Sequence, residues 1–358
     1  MIIDQELISR IFLMILLPFI FVVLIMPYIK KMAIKIGAVD VPRNRHMHKK
    51  TTPKLGGLAI FFGFLLGYMV FGTHSSTMNA ILIGSFIIVI IGVIDDIAEL
   101  SAKTQFIGQV AAACVIVFYG NILLQDISAF GVYINFSWMS YPLTLFFILG
   151  CINCINLIDG LDGLSGGISS IYFLTIGIIA TMQGKTGLDF VLAFVMLGSI
   201  LGFLVYNYHP ASIFAGDTGS NLMGFMISIV ALLGFKNVTM TSLIIPLLVM
   251  AIPILDTLFA IIRRVLKGQN PFTSPDRFHI HHQLLNKNFS EKATVSIILG
   301  IDLLFASASI IYVLGDEKLG YIVYGILLAI VLAFVLTTNV ITDRETVKKT
   351  LNRLKRSK

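Results

Sequence analysis

Carboxylate, amide and imidazole side chains gather at four places in the chain, each beside an apolar segment. The four motifs are Asp95-Asp96, Asn153-x-x-Asn156-x-x-Asp159-Gly-x-Asp162-Gly-Leu164, Phe214-Ala-Gly-Asp217-Thr-Gly-Ser220 and His279-Ile-His281-His282. Two carboxylates about 5 Å apart repel each other by roughly 3 kcal/mol at an effective dielectric constant near 20. If the five aspartates converge with little basic charge nearby, either several of them are protonated or a divalent cation lies among them. Oxygen ligands without thiolates favour Mg²⁺, with Mn²⁺ as the alternative.

The second motif suits a nucleotide. Asn153, Asn156 and Asp159 recur every three residues, which places them on one face at the end of a helix. Polar contact between membrane helices is the alternative, because amide side chains often supply it. The repeated Asp-Gly pair favours ligand binding, since glycine lets a ligand approach the backbone while Asp159 and Asp162 offer acceptors to a base or a ribose.

The third motif leads directly into an apolar helix, and its side chains could simply cap that helix. The free N–H groups of a helix N-terminus also bind phosphate. A carboxylate at the same place repels phosphate unless a metal ion bridges the two. We therefore expect Asp217 to lie in a site for a metal-bound diphosphate.

The histidine motif follows Arg277 in a long polar segment. Protonated imidazole and guanidinium both bind phosphate oxygens, so we expect these side chains to contact an anion. The residues concerned are Arg277, His279, His281 and His282. A zinc site and a merely hydrophilic loop are the alternatives, although the cysteines lie elsewhere.

Two further features bear on this chemistry. The basic segment 43–57, which contains Lys49, either binds phosphate groups or simply reflects the excess of positive charge on the inner side of membrane proteins. Asp256 lies inside an apolar segment, where a carboxylate indicates a function unless it reaches the membrane interface.

The composition predicts an all-α polytopic membrane protein that forms a single domain over residues 1–358. Hydrophobic residues make up 57% of the chain and charged residues 13%, against about 25% charged in soluble domains. The net charge of +7 does not indicate nucleic-acid binding, because the basic residues lie between apolar blocks. Cys114, Cys151 and Cys154 lie inside apolar segments and predict no disulfide framework.

Eleven apolar segments are long enough to cross a bilayer core of about 30 Å. They span 7–29, 55–72, 78–94, 105–123, 141–158, 166–183, 188–206, 219–235, 241–262, 293–313 and 320–339. The first has no basic region ahead of it and is expected to be a retained span rather than a signal peptide. The alternating, aromatic segment 124–140 predicts a small external hairpin.

The basic residues set the orientation. Of the 26 lysines and arginines, 22 lie in segments 30–54, 95–104, 263–292 and 340–358, which share one side if the N-terminus is outside. The chain is therefore predicted to be N-out and C-in. The four motifs follow the third, fifth, seventh and ninth spans, so all four are expected at the cytoplasmic face.

Together and in this order, the four motifs resemble those of the polyprenyl-phosphate N-acetylhexosamine-1-phosphate transferases, a glycosyltransferase family 4 type, over nearly the whole chain. The resemblance implies that Asp217 and Asn156 bind Mg²⁺ and that Asp95, with Asp96 beside it, deprotonates the lipid phosphate. It implies substrate binding by a larger set: Asn153, Asp159, Asp162, Arg277, His279, His281, His282, Lys49 and, more loosely, Lys103.

The resemblance also implies the reaction. N-acetylglucosamine 1-phosphate would pass from UDP-N-acetylglucosamine to undecaprenyl phosphate at a bacterial cytoplasmic membrane, as the first membrane step of a cell-wall polymer such as teichoic acid. The expected partners are these two substrates, the lipid bilayer and, in a homodimer, a second copy of the chain; nucleic acid is not expected.

Three alternatives remain open on the sequence. The phospho-N-acetylmuramoyl-pentapeptide transferases usually carry Lys where this chain has Glu99, and the His-x-His-His form also favours the N-acetylglucosamine branch. An ion-coupled transporter would place its carboxylates near the membrane midplane, often in repeated halves. A CDP-alcohol phosphotransferase would need an Ala-Arg pair that segment 159–171 lacks.

Overall fold

The protein is an all-α polytopic membrane protein, with only two small sheets in the described part of the chain. The structure is a computed structural model that describes residues 5–41, 51–129, 132–236, 249–266, 279–315 and 317–337. The chain forms two compact units, 1–248 and 249–358. The predicted single domain stays a prediction.

The first unit contains eight helices among its described residues. They are α1 (Gln5–Ile36), α2 (Gly56–Phe71), α3 (Ser76–Ala98), α4 (Ala102–Cys114), α5 (Ser140–Ile158), α6 (Leu164–Met182), α7 (Leu188–Asn207) and α8 (Gly216–Lys236). A π-helical turn, Val115–Tyr119, continues α4, and a 3₁₀ turn, Ser137–Met139, precedes α5.

The described part of the second unit consists of α9 (Ala251–Leu266), α10 (Ile280–Asn286), α11 (Glu291–Leu314) and α12 (Glu317–Thr337). The long helices α11 and α12 pack against each other, while α9 and the short α10 contact α11.

Within the described residues, nine helical stretches are long and apolar enough to cross a membrane. They are Gln5–Ile36, Ser76–Ala98, Ala102–Tyr119, Ser137–Ile158, Leu164–Met182, Leu188–Asn207, Gly216–Gly234, Glu291–Leu314 and Lys318–Val335. The predicted span 55–72 corresponds to the shorter apolar helix α2, of 16 residues. The predicted span 241–262 lies partly outside the described residues. The total of eleven spans and the N-out, C-in orientation stay predictions.

The predicted hairpin in segment 124–140 is present. Strand β3 (Asp126–Ala129) pairs antiparallel with β4 (Val132–Asn135), in a register that joins Asp126 to Asn135. The Tyr133 hydroxyl donates to Asp126 Oδ2 at 3.1 Å across the pair. The hairpin is confirmed, and its external position stays a prediction.

Close packing of α3 against α8 brings two distant motifs together. A Cβ atom at Gly92 on α3 would clash with the backbone of Thr218 on α8, so only glycine permits this approach. Gly216, which begins α8, has a φ of +69°, a conformation that side chains with a Cβ rarely adopt. A Cβ there would also clash with the Asp96 carboxyl group. The end of α3 is thus fixed against the start of α8.

A short extended segment supports the same region. Strand β1 (Val39–Asp40) pairs antiparallel with β2 (Thr52–Pro53). Phe214 N donates to Pro53 O at 2.8 Å, Gly56 N donates to Phe214 O at 2.9 Å, and the next pair continues the ladder. The chain around residue 54 therefore lies beside the turn that precedes α8.

Candidate active site

The side chain of Asp96 holds the N-terminus of α8. Asp96 Oδ1 accepts a hydrogen bond from Asp217 N at 2.9 Å. Asp96 Oδ2 accepts one from Thr218 N at 3.1 Å and another from the Thr218 hydroxyl at 2.7 Å. The residue is only 7% exposed, and the N–H groups at a helix start lack partners within the helix. Asp96 thus caps α8 from outside the helix and fixes the backbone of Asp217.

The side chains of Asp217 and Asp95 lie within hydrogen-bonding reach of each other. Asn156 Nδ2 donates to Asp217 Oδ1 at 2.8 Å, and Gln105 Nε2 donates to Asp217 Oδ2 at 3.2 Å. Gln105 also bonds the side chain of Asp95. Asp95 accepts a further bond from Leu100 N, which fixes it where α3 ends. Residues from α3, α4, α5 and α8 therefore meet around one pair of carboxyl groups.

The Asp-Gly-x-Asp-Gly turn lies near Asp96. Burial raises the pKa of Asp159 to about 6, and the charges of Asp96 and Asp162 act in the same direction, while a bond from the Ser165 hydroxyl opposes them. Asp162 Oδ2 accepts from Ala211 N at 2.9 Å and lies 3.0 Å from His209 Nδ1. The turn is thereby tied to the loop that leads into α8.

The predicted convergence of Asp95, Asp96, Asp159, Asp162 and Asp217 is found, but one part of that expectation is wrong. The carboxyl groups were expected to have little basic charge nearby. Lys54 is half-buried and close enough for its charge to act on both Asp95 and Asp96. The ladder between segments 52–57 and 214–215 places it there, a long-range pairing that the sequence does not indicate.

The predicted ligands of Mg²⁺, Asp217 and Asn156, lie side by side. Asp95 and Asp217 contact each other, and two like charges at that distance need a shared proton or a cation between them. The Asn156 amide lies against Asp217, where its own oxygen could serve as a ligand after a flip. The donors are oxygen atoms, which suit Mg²⁺. The residues therefore fit the ion.

Two of the predicted substrate-binding residues lie at the edge of this group. Asn153, which is exposed, donates from Nδ2 to Gln109 Oε1 at 3.1 Å and to Leu149 O at 2.8 Å, so its amide faces α4 rather than Asp217. Lys103 is exposed in the first turn of α4. Lys49 and Arg277 lie outside the described residues.

The histidine motif belongs to the second unit, at the start of α10. His279 Nδ1 lies 2.8 Å from Asp256 Oδ2, and Ile280 N donates to Asp256 Oδ1 at 2.8 Å. The ring of His281 is parallel to that of His279 and lies 4.2 Å from that of His282. Burial lowers the pKa of His281 to about 3, and His282 acts in the same direction. His281 is therefore a neutral imidazole rather than the expected cation. Its predicted part in substrate binding is untested.

Sequence reasoning missed three polar residues of the first unit. Gln105 and Gln109 are four residues apart, so they share a face of α4, but the spacing does not show that this face meets Asp217. His209 lies in no motif, and only the fold brings it to Asp162. The structure places these residues; the catalytic, metal-binding and substrate-binding roles of the predicted residues stay predictions.

Known proteins are similar to this chain over most of its length. A model of glycosyl transferase family 4 matches residues 78–235, a segment that contains Asp95, Asn156 and Asp217. The chain is 42% identical over 293 residues to the probable undecaprenyl-phosphate N-acetylglucosaminyl 1-phosphate transferase of Bacillus subtilis (strain 168), with 81% of each chain covered.

Two further relatives are more distant. The chain is 34% identical over 344 residues to the decaprenyl-phosphate N-acetylglucosaminephosphotransferase of Mycolicibacterium smegmatis, covering 87% of this chain and 83% of that one. It is 31% identical over 304 residues to the undecaprenyl-phosphate alpha-N-acetylglucosaminyl 1-phosphate transferase of Escherichia coli K12, covering 82% and 81%. With such identity over four fifths of its length, the chain belongs to glycosyl transferase family 4.

Proposed function

We propose that this protein transfers N-acetylglucosamine 1-phosphate from UDP-N-acetylglucosamine to undecaprenyl phosphate, releasing UMP. The observation that carries the proposal is the meeting of Asp95, Asp217 and Asn156 within a chain 42% identical to a relative named for this transfer. The product is undecaprenyl-diphospho-N-acetylglucosamine, which we propose starts a cell-wall polymer such as teichoic acid.

The transfer exchanges one phosphorus–oxygen bond for another. An oxygen of the lipid phosphate forms a bond to the sugar-linked phosphorus, and the bond from that phosphorus to the bridging oxygen breaks as UMP leaves. We propose direct attack, with Asp95 accepting any proton that the lipid phosphate carries. The remaining work of the protein is to position the two phosphates and to stabilise their charge.

Mg²⁺ would be held by Asp217 and Asn156 and would neutralise the diphosphate during transfer. Asp96 keeps the Asp217 backbone in place through the bonds to α8. Asp159 and Asp162 are proposed to bind the nucleotide, and the Asp162 bond to Ala211 N would keep that part of the site rigid.

The rival functions receive less support. The relatives reported above carry names of N-acetylglucosamine phosphate transferases, which does not favour the muramoyl-pentapeptide reaction. A transporter would use carboxylates near the middle of its helices. Here Asp95 lies in the last turn of α3 and Asp217 in the first turn of α8, so the acidic group forms at helix ends.

A purified-protein assay tests the proposal. We expect UMP release from UDP-N-acetylglucosamine only when both undecaprenyl phosphate and Mg²⁺ are present. The muramoyl-pentapeptide nucleotide, offered in the same assay, is the matched control for the sugar. Turnover of the control and not of UDP-N-acetylglucosamine would reassign the substrate, and release without a lipid acceptor would reassign the reaction.

A further inference from the structure

Asp256 is a buried carboxylate of α9 whose contacts the proposed reaction leaves unexplained. It is 2% exposed, and each of its oxygens has a partner: His279 Nδ1 for Oδ2 and Ile280 N for Oδ1, both at 2.8 Å. The sequence offers two readings of an intramembrane carboxylate, a function or an approach to the interface. These contacts indicate a third, which is to hold the histidine motif.

The pairing determines where the protons of His279 lie. A carboxylate can only accept, so the 2.8 Å contact requires His279 Nδ1 to carry its hydrogen. Nε2 is then the remaining atom with which the ring can bind a ligand. When a phosphate oxygen approaches Nε2, negative charge lies on both sides of the ring, and the imidazolium form satisfies both partners.

The side-chain contact fixes the protonation of the His279 ring, and the backbone contact from Ile280 fixes its direction. His279 is the residue immediately before α10, and its neighbour Ile280 donates to the same carboxyl group. Asp256 therefore bonds the histidine motif at two points, the side chain of His279 and the backbone N–H of Ile280 at the start of α10. The ring of His281 is parallel to that of His279, with the two centroids 5.7 Å apart, and packs against it.

We propose that Asp256 is a positioning residue, which orients His279 so that its Nε2–H donates to a phosphate group of the substrates. The inference rests on the proposed function, because it takes the anion to be a substrate phosphate. It distinguishes two of the histidines: His279 bonds Asp256 through Nδ1 and the phosphate through Nε2, while the buried ring of His281 packs against the His279 ring.

The test uses full-length protein and the variant Asp256→Asn. Asparagine can still accept from Ile280 N, but its NH₂ group then faces His279 Nδ1, which must give up its hydrogen. The neutral ring that results still donates from Nε2 but has lost its positive charge. We therefore expect the KM for UDP-N-acetylglucosamine or for undecaprenyl phosphate to rise about fivefold, roughly the difference between a charge-assisted and a neutral hydrogen bond, with kcat changed less than about threefold. The substrate whose KM rises is the one that His279 contacts.

The second readout is the ¹⁵N spectrum of histidine-labelled protein, with the His279 signals assigned by His279→Gln. In the wild type we expect Nδ1 of His279 to be protonated, and in Asp256→Asn to be bare. A loss of structure alone would not interchange the two ring nitrogens. The wild-type spectrum decides the point even if the variant fails to fold.

Asp302→Asn is the matched control. Asp302 is a fully buried carboxylate on α11 of the same unit, and neither of its oxygens has a hydrogen-bond partner among the described residues. We expect its replacement to leave both KM values and the His279 signals unchanged. An equal KM rise in both variants, or a bare Nδ1 in the wild type, would overturn the inference. If the wild type turned over neither substrate while the Nδ1 signals behaved as expected, the proposed function would fail and the positioning by Asp256 would stand.

Discussion

Asp95 and Asp96 are adjacent in the sequence, but their side chains do different things. Asp96 gives both oxygens to Asp217 and Thr218, whereas Asp95 contacts the Asp217 side chain and faces the proposed metal site. A helix places neighbouring residues about 100° apart, so two adjacent carboxylates at a helix end cannot serve the same partner equally. The contacts favour positioning for Asp96, and the proton transfer proposed for Asp95 fits its place beside Asp217.

This division predicts different losses in Asp95→Asn and Asp96→Asn. Asn at position 96 keeps one acceptor and loses the other, so either Asp217 N or the two donors of Thr218 lose their partner. We expect unfolding stability to fall by about 2 kcal/mol and the Mg²⁺ concentration for half-maximal activity to rise. Asn at position 95 can still accept from Leu100 N. We expect it to lower kcat at least about a hundredfold, the lower end of a general-base contribution, without loss of stability.

Thermal unfolding and Mg²⁺ titration of activity distinguish the two variants. Thr218→Val, which removes one donor to Asp96, should reproduce the Asp96→Asn effect in part. Thr218→Ser keeps the hydroxyl donor and should behave like the wild type. An Asp96→Asn protein with wild-type stability, unchanged Mg²⁺ dependence and a lost kcat would assign Asp96 to the chemistry instead.

At the scale of elements, the site depends on how closely α3 approaches α8. A methyl group at Gly92 would meet the backbone of Thr218, which cannot move without breaking the bonds to Asp96. We expect Gly92→Ala to lower the thermal unfolding midpoint and to reduce activity more than tenfold, roughly the effect of displacing catalytic groups by about 1 Å. Glycine-to-alanine changes in helices otherwise stabilise by about 1 kcal/mol.

Gly150 on α5 supplies the matched control, because a Cβ atom there would contact nothing within 4 Å. Gly150→Ala should therefore leave activity intact and hold or raise the unfolding midpoint. Equal behaviour of the two alanine variants would show that the α3–α8 approach does not position the site.

The sequence predicted the elements better than their contacts. Hydropathy located the long helices, and span parity brought Asp95, Asp159 and Asp217 to one side, because each follows an odd-numbered apolar segment. The same reasoning could not find Lys54 or Gln105. Lys54 depends on a ladder between segments 160 residues apart, and Gln105 on the rotation of α4 about its axis. Local periodicity determines neither the long-range ladder nor the rotation of the helix.

At the scale of the whole molecule, the meeting of helix ends fixes one membrane side for the acidic residues but does not say which. Their proposed location at the cytoplasmic face of a bacterial membrane rests on the lysine and arginine bias. The chemistry gives an independent reason: UDP-N-acetylglucosamine is water-soluble and made in the cell, while the lipid phosphate lies at headgroup depth. A site at the inner surface meets both without carrying either through the bilayer.

Two single-cysteine variants test this placement, in a protein whose Cys114, Cys151 and Cys154 are replaced by alanine. Ala102 is exposed where α4 begins, close in sequence to Asp95, and Thr186 is exposed between α6 and α7. Helix α6 starts just after Asp162 and ends at Met182, so Thr186 lies at the opposite end of a span.

In intact cells a membrane-impermeant maleimide should label Thr186→Cys and not Ala102→Cys. Inverted vesicles should give the reverse, because the acidic site then faces the reagent. The opposite pattern would move the site to the outer face, where the nucleotide sugar is absent, and labelling of both variants from one side would exclude α6 as a membrane span.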